Sequence, residues 1–221
     1  MPDRLYSLAV PDLRHVGPHQ QPDRPTIEPV GARNQVEGLD FHQAVEQVNA
    51  AVLRPEVVVD EIPAPQRIAP NAYAISGDVV TATDDDMATG RFILLHDPAG
   101  NDAWDGTYRC VTFARADIES EMASDPSLPS VGWSWLTDAL ESHEADFHAL
   151  SGSVTVVHTE GFGEMAADGA GAQIELRASW TPNGDVGPHI ISWSELLCAL
   201  AGLPPLAPGV IPLPQRRARG R

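Results

Sequence analysis

Two apolar runs and the polar loop between them read Thr89-Gly-Arg-Phe-Ile-Leu-Leu-His-Asp-Pro-Ala-Gly-Asn-Asp-Ala-Trp-Asp-Gly-Thr-Tyr-Arg-Cys-Val-Thr-Phe113. Residues 90–96 are apolar on both alternating sets of positions, which is typical of a central strand covered on both sides. The loop at 97–106 is rich in Asp, Asn, Gly and Pro, the ordinary residues of turns. Because residues 107–115 return as a second apolar-centred strand, the stretch predicts an antiparallel hairpin.

The rest of the chain predicts further helices and strands on either side of this hairpin, from helical or alternating apolar periodicity. In chain order they are helix 41–53, strands 56–62 and 72–82, the hairpin, one or two helical turns in 116–122, helix 130–142 with Ser130 as its N-cap, strands 147–159 and 173–180, and helix 189–201. Gly77, inside a strand, predicts a bulge or a close backbone approach. The order α-ββββ-α-ββ-α indicates an α+β fold, a single domain with an antiparallel sheet of about six strands and helices packed on it.

The two ends of the chain differ in composition from the middle. Residues 1–37 contain six prolines and no apolar periodicity, which predicts a disordered leader. Residues 204–221 predict an extended tail rich in Pro and Arg. The α+β domain is therefore expected to span 38–203.

Acidic residues dominate the predicted domain. All 14 basic residues of the chain are Arg, against 31 acids, for a formal net charge of −17. Residues 38–214 contain 6 of the arginines and 26 of the acids (6 − 26 = −20). A surface this acidic repels a phosphate backbone, which argues against nucleic-acid binding by the domain. Neither a membrane span nor a signal peptide is indicated, so a cytoplasmic location is expected.

The hairpin loop contains the side chains that most resemble a chemical site. His96 and Asp97 are adjacent, and Asp105 follows in the same loop with further oxygen ligands nearby. Convergent oxygens suit a hard cation, and a His-Asp pair can orient a base. The spacing matches no metal-binding loop, however, and these residue types are ordinary in turns. No nucleophile motif, phosphate loop or dinucleotide fingerprint is present, so we predict no catalytic residue, metal or cofactor. Cys110 and Cys198 are expected to be buried hydrophobes.

Aromatic and arginine side chains suggest a different kind of site. Trp104 lies in the polar loop, and Trp133 projects away from the predicted core stripe of its helix, which runs through Val131 and Trp135. Exposed indoles beside Arg91 or Arg109 would form a recognition patch. Arg91, Arg109 and Arg177 all lie in predicted strands, where they either pair with Glu56, Asp60 or Glu175 or gather an anion.

Several blocks of the sequence resemble one known family. They are Arg54-Pro-Glu, Glu61-Ile-Pro-Ala-Pro, Ala88-Thr-Gly-Arg-Phe, Leu94-Leu-His-Asp-Pro-Ala-Gly, Ala103-Trp-Asp-Gly-Thr-Tyr-Arg, Val131-Gly-Trp-Ser-Trp-Leu, Arg177-Ala-Ser-Trp-Thr-Pro and Leu196-Leu-Cys-Ala-Leu-Ala-Gly-Leu-Pro-Pro. Residues 40–212 are in this way similar to an actinobacterial domain of unknown function, the one numbered three thousand. The resemblance implies an actinobacterial cytoplasmic protein and supplies no activity.

The sequence thus favours a non-catalytic module that binds a protein partner or a small ligand through Trp104, Trp133 and nearby arginines. The alternative is a small metal-dependent or hydrolytic enzyme that uses the loop from His96-Asp97 to Asp105. Unpaired edges of an antiparallel sheet also make a homodimer plausible.

Overall fold

Six strands form one antiparallel sheet in the computed structural model, which describes residues 39–80 and 86–206. The strands are β1 Val57–Glu61, β2 Asn71–Val80, β3 Asp86–Asn101, β4 Gly106–Ile118, β5 Phe147–Glu160 and β6 Ala170–Pro182. Their order across the sheet is β1-β2-β3-β4-β6-β5. The helices are α1 Phe41–Ala50, α2 Ser120–Ala123, α3 Leu128–Ser142 and α4 Gly187–Leu200, with a 3-10 turn at Gly163–Asp168.

The predicted α+β class and the six-stranded antiparallel sheet with helices packed on it are confirmed. The predicted hairpin is the β3–β4 pair at the centre of the sheet, in which Leu94 lies opposite Cys110. The leader expected over 1–37, and the tail from 207 onward, lie outside the described residues.

The helices cover one face of the sheet. Alternate strand residues such as Phe92, Leu94 and Trp180 join a single core with apolar residues of α1, α3 and α4. The residues between them, including Arg91 and Phe113, point to the other side because strand side chains alternate between faces. We call that side, which is turned away from the helices, the open face.

Four local predictions were wrong, each at the end of a helix. α4 begins at Gly187 rather than 189. α1 ends at Ala50 rather than 53, because Ala51 already has an extended backbone (φ −64°, ψ 136°). α3 begins at Leu128, with Ser127 rather than Ser130 as its N-cap. Pro129 lies in its first turn, where the missing N–H removes no helical hydrogen bond. Residues 116–118, expected in helical turns, belong to β4.

Candidate functional site

A groove of about 920 Å³ lies on the helix side of the molecule, lined by α3, α4 and residues 52–54 and 202–206. This volume falls within the range of about 300–1,000 Å³ that is common for ligand pockets. Apolar side chains supply most of the lining, among them Val52, Leu53, Trp135, Ile191 and Leu203. Trp135, which the sequence placed in the core, is only half-buried and forms part of the groove wall. The groove therefore offers a solvent-accessible apolar surface.

A buried guanidinium holds the groove together. Arg54 is 4% exposed and makes two hydrogen bonds to Glu56, from Nε to Oε2 (3.0 Å) and from Nη2 to Oε1 (2.9 Å). Its Nη1 donates to Glu195 Oε2 on α4 (3.0 Å) and to the carbonyl of Pro204 (3.1 Å). The hydrogen bonds to Glu56 raise the pKa of Arg54 and lower the pKa of Glu56. Three separate parts of the chain are thus fixed around one cation.

The charged groups of the groove leave it acidic. Arg54 carries one positive charge and contacts two carboxylates, and the exposed carboxylate of Asp138 lies in the lining as well. His143 Nε2 lies 3.9 Å from Glu195 Oε1. With His counted as neutral, the lining carries one positive charge, on Arg54, against two negative charges, on Asp138 and Glu195, and Glu56 outside the lining also pairs with Arg54. An apolar groove with this charge favours an apolar ligand that carries a positive group.

The open face carries a row of arginine and aromatic side chains. Phe113 of β4 is the direct cross-strand partner of both Arg91 on β3 and Arg177 on β6. The Arg177 guanidinium lies 5.1 Å from the centroid of the Phe113 ring, a cation–π distance, and its Nη2 is 3.2 Å from Glu175 Oε2. Arg91 is exposed. Of the acids expected to pair with the strand arginines, Glu175 pairs with Arg177, whereas Glu56 pairs with Arg54 instead.

Arg109 is a buried cation among neutral oxygens. It is 7% exposed and donates to the Ala149 and Ser179 carbonyls and to the hydroxyls of Thr181, Ser179 and Ser151. Burial lowers its pKa. Ala149 belongs to an irregularity in β5 and has a left-handed backbone (φ 50°). Arg109 therefore connects β4, β6 and the distorted start of β5, which is a structural role.

The side chains of the hairpin loop make separate contacts. His96 stacks between Phe41 and Tyr108, with ring centroids at 5.7 and 4.3 Å, and burial lowers its pKa. Asp97 accepts a hydrogen bond from the Ala99 N–H, as in a turn. Asp105 has its carboxylate 3.7 Å from His148 Nε2. Across the described residues, no group of three His, Cys, Asp or Glu side chains is placed to hold a metal ion.

The structure does not bring the two candidate tryptophans and the arginines onto one surface. Trp133 lies on the helix side, where its ring packs over Gly152 of β5. Arg91 and Arg177 lie on the open face. Trp104 is half-buried in the turn between β3 and β4, and its carbonyl accepts a hydrogen bond from the Thr181 hydroxyl. The single recognition patch predicted from the sequence is therefore divided between opposite sides of the sheet.

Comparison with known proteins gives one match. Residues 37–211 match the model of a family described as "Protein of unknown function (DUF3000)". The chain belongs to this family. No curated protein and no solved structure matches this DUF3000 protein. In the part of the chain that the structure describes, no helix is long and apolar enough to cross a membrane.

The groove of this DUF3000 protein was missed from the sequence. Its key contact joins Arg54 to Glu195, which are 141 residues apart, so no local spacing reveals it. One signal was available: Arg54 follows an apolar helical stretch directly and precedes Pro55, in a domain where arginine is scarce. A lone arginine at the edge of a core needs carboxylates or carbonyls nearby.

Proposed function

We propose that this DUF3000 protein is a non-catalytic binding module whose groove takes an apolar ligand or peptide segment with a positively charged group. The observation that carries the proposal is the groove itself, an apolar surface of ligand size with an acidic lining around Arg54. The cytoplasmic location and actinobacterial source implied by the family resemblance are parts of the same proposal.

The architecture of the groove supports binding with little rearrangement. Arg54 fixes the segment after α1, the strand β1 and the helix α4 relative to one another before any ligand arrives. A site that is already formed spends less binding free energy on ordering itself. Trp135 provides a large, half-exposed apolar surface, and side chains of this type dominate binding energy at many interfaces.

The contacts of His96 and the state of the two thiols support binding over catalysis. His96 is held between two aromatic rings, and burial raises the pKa of both thiols, that of Cys198 to about 12. A thiol that stays protonated is a poor nucleophile.

The proposal is tested with three apolar fluorophores of similar size, one cationic (dansyl cadaverine), one neutral (N-phenyl-1-naphthylamine) and one anionic (anilinonaphthalene sulfonate), titrated into the full chain. We expect the cationic probe to bind most tightly and the anionic probe least tightly. Asp138→Asn should weaken binding of the cationic probe by about threefold, since an exposed charge contributes about 0.2–1 kcal/mol. Binding of the neutral probe should stay unchanged.

Matched variants locate the site. Trp135→Ala should weaken all three probes, whereas Trp104→Ala, another half-buried tryptophan outside the groove, should not. Asp60→Asn removes an exposed acid on β1 and serves as the control for Asp138→Asn. Equal affinity for the three probes, or binding insensitive to Trp135→Ala, would refute the groove as a charged ligand site.

A further inference from the structure

The two outer strands of the sheet are β1 and β5. Within the described residues, β1 pairs with β2 and β5 pairs with β6. An outer strand presents a row of backbone N–H and C=O groups that can pair with another strand. Natural proteins commonly protect such edges with short strands, charged side chains, prolines or bulges.

The β1 edge has this protection. The strand is five residues long and contains Asp60 and Glu61. Glu56 precedes it and Pro63 follows it closely. A second strand from another acidic chain would meet repulsion here and would soon reach a residue that cannot donate a hydrogen bond.

The β5 edge lacks most of these protective features. The strand is 14 residues long, and none of them is buried. One residue in five of the whole chain is charged, yet no Asp, Glu, Arg or Lys occurs from Phe147 to Thr159. Its one irregularity lies between His148 and Ser151, and from Ser151 to Glu160 it pairs with β6 in continuous register. The protection is therefore confined to the start of the strand.

We propose that residues 151–159 of β5 pair antiparallel with the same residues of a second copy of the chain, about a two-fold axis, to join two six-stranded sheets into one. The net charge of −17 on each chain opposes close approach of two copies wherever acids are exposed. The uncharged β5 edge is a place where two such chains can meet.

The residues of this segment are compatible with self-pairing. Ser153, Thr155 and Val157 lie on the same face as Arg177 and Glu175, the open face, and residues opposite one another in an antiparallel pair share a face. Serine, threonine and valine therefore meet one another across the two-fold axis. Hydroxyl and β-branched pairs of this kind stabilise adjacent strands.

The test combines sedimentation with a matched pair of variants. Analytical ultracentrifugation of the full chain should show a monomer–dimer equilibrium with a dissociation constant in the range of about 1–100 μM, since one strand pair buries a small interface. Val157→Asp on β5 should weaken the dimer at least about tenfold. Val58→Asp on β1 makes the same change at a valine of similar exposure (42% against 38%) and should leave the equilibrium unchanged.

A cross-linking experiment keeps the proposal testable if Val157→Asp fails to fold, which circular dichroism would show. Cys110 and Cys198 are buried, so an added surface cysteine supplies the reactive thiol. Oxidation of Thr155→Cys, which the two-fold axis places opposite its own copy, should give a disulfide-linked dimer, and Val58→Cys should not. A wild-type chain that stays monomeric up to about 200 μM, or a dimer that cross-links through Val58→Cys instead, would overturn the proposal. A monomer that binds an extended segment of another protein at β5 would also overturn it.

Discussion

Gly77 of β2 and Gly90 of β3 are direct cross-strand partners, and together they form the floor on which Trp193 and Leu197 of α4 pack. A Cβ atom built on Gly77 would lie 2.6 Å from Trp193 Cη2, and one built on Gly90 would lie 2.6 Å from Leu197 Cδ2. The predicted alternatives at Gly77 were a bulge and a close approach. The close approach is what the structure shows, since the pairing at this position is in continuous register.

Gly77→Ala should therefore destabilise the fold. An added methyl group meets a fully buried indole, and overpacking of this kind costs about 1–3 kcal/mol. Urea unfolding followed by circular dichroism measures the loss. Gly171→Ala on β6 is the control, because nothing lies within 4 Å of a Cβ at that position. Equal stability of the two variants would contradict the packing described for Trp193.

His189 should make the fold sensitive to acid. It is fully buried, its Nδ1 accepts a hydrogen bond from Trp180 Nε1 (3.0 Å), and burial lowers its pKa from 6.5 to about 4. Between these two values the unfolded chain takes up a proton that the folded chain does not. The free energy of unfolding should then fall by about 3 kcal/mol as the pH drops from about 6.5 to 4, and this contribution should be constant below that.

His189→Gln isolates this effect. The glutamine side chain can still accept a hydrogen bond but does not titrate, while every carboxylate of the protein titrates in both forms. Urea unfolding at several pH values between about 7 and 4 should show a steeper loss of stability for the wild type than for the variant. Parallel pH profiles would contradict the neutral, buried imidazole.

Replacement of Arg54 should cost far more stability than replacement of an exposed arginine. Arg54→Met leaves Glu56 and Glu195 without their cation, and we expect a loss of about 2–3 kcal/mol, since both carboxylates keep some contact with water. Arg177→Met breaks the exposed pair with Glu175 and the cation–π contact with Phe113, and should cost no more than about 1 kcal/mol. Thermal and urea unfolding of the two variants measure the difference, and similar losses would show that Arg54 is not a structural anchor.

The two cysteines should be unreactive in the folded protein. Both are buried, and desolvation raises the pKa of each thiol, so the reactive thiolate is scarce. Ellman's reagent at neutral pH should label neither thiol until urea unfolds the chain, and should then label both. Rapid labelling of one thiol under native conditions would show that its surroundings open far more readily than the structure indicates.

Local patterns were sufficient to predict most elements of this fold. The alternation in β6 and the two-sided apolar run of β3 identified their strands, because side-chain period follows directly from backbone geometry. The rotation of α3 was harder to predict. Val131, expected in the core, is exposed, while Gly132 is buried against Ile174 and Val154. The N-cap of α3 lies three residues earlier than expected, and the helix approaches the sheet through a glycine, so hydrophobicity alone does not identify its buried face.

Contacts between distant parts of the chain account for the remaining differences. β4 pairs with β6 rather than with β5, so the strand order depends on a crossover that no hairpin signal specifies. The groove depends in the same way on Arg54 reaching α4, and the division of Trp133 from Arg91 depends on which face each element presents. The spacing of residues along the chain does not determine the strand order, the Arg54 contact or the side on which Trp133 lies.

Charge is distributed unequally between the open face and the groove side of the molecule. Four of the six arginines in the described part of the chain, Arg91, Arg109, Arg115 and Arg177, lie on the open face of the sheet, where they balance four acids, Asp60, Asp78, Asp117 and Glu175. The groove side holds Asp138, Glu195 and a single buried guanidinium, so it is the more negative of the two. The resulting dipole points across the sheet rather than along it. An acidic macromolecule that approaches this protein through dilute buffer is therefore turned to meet the strands first and the helices last.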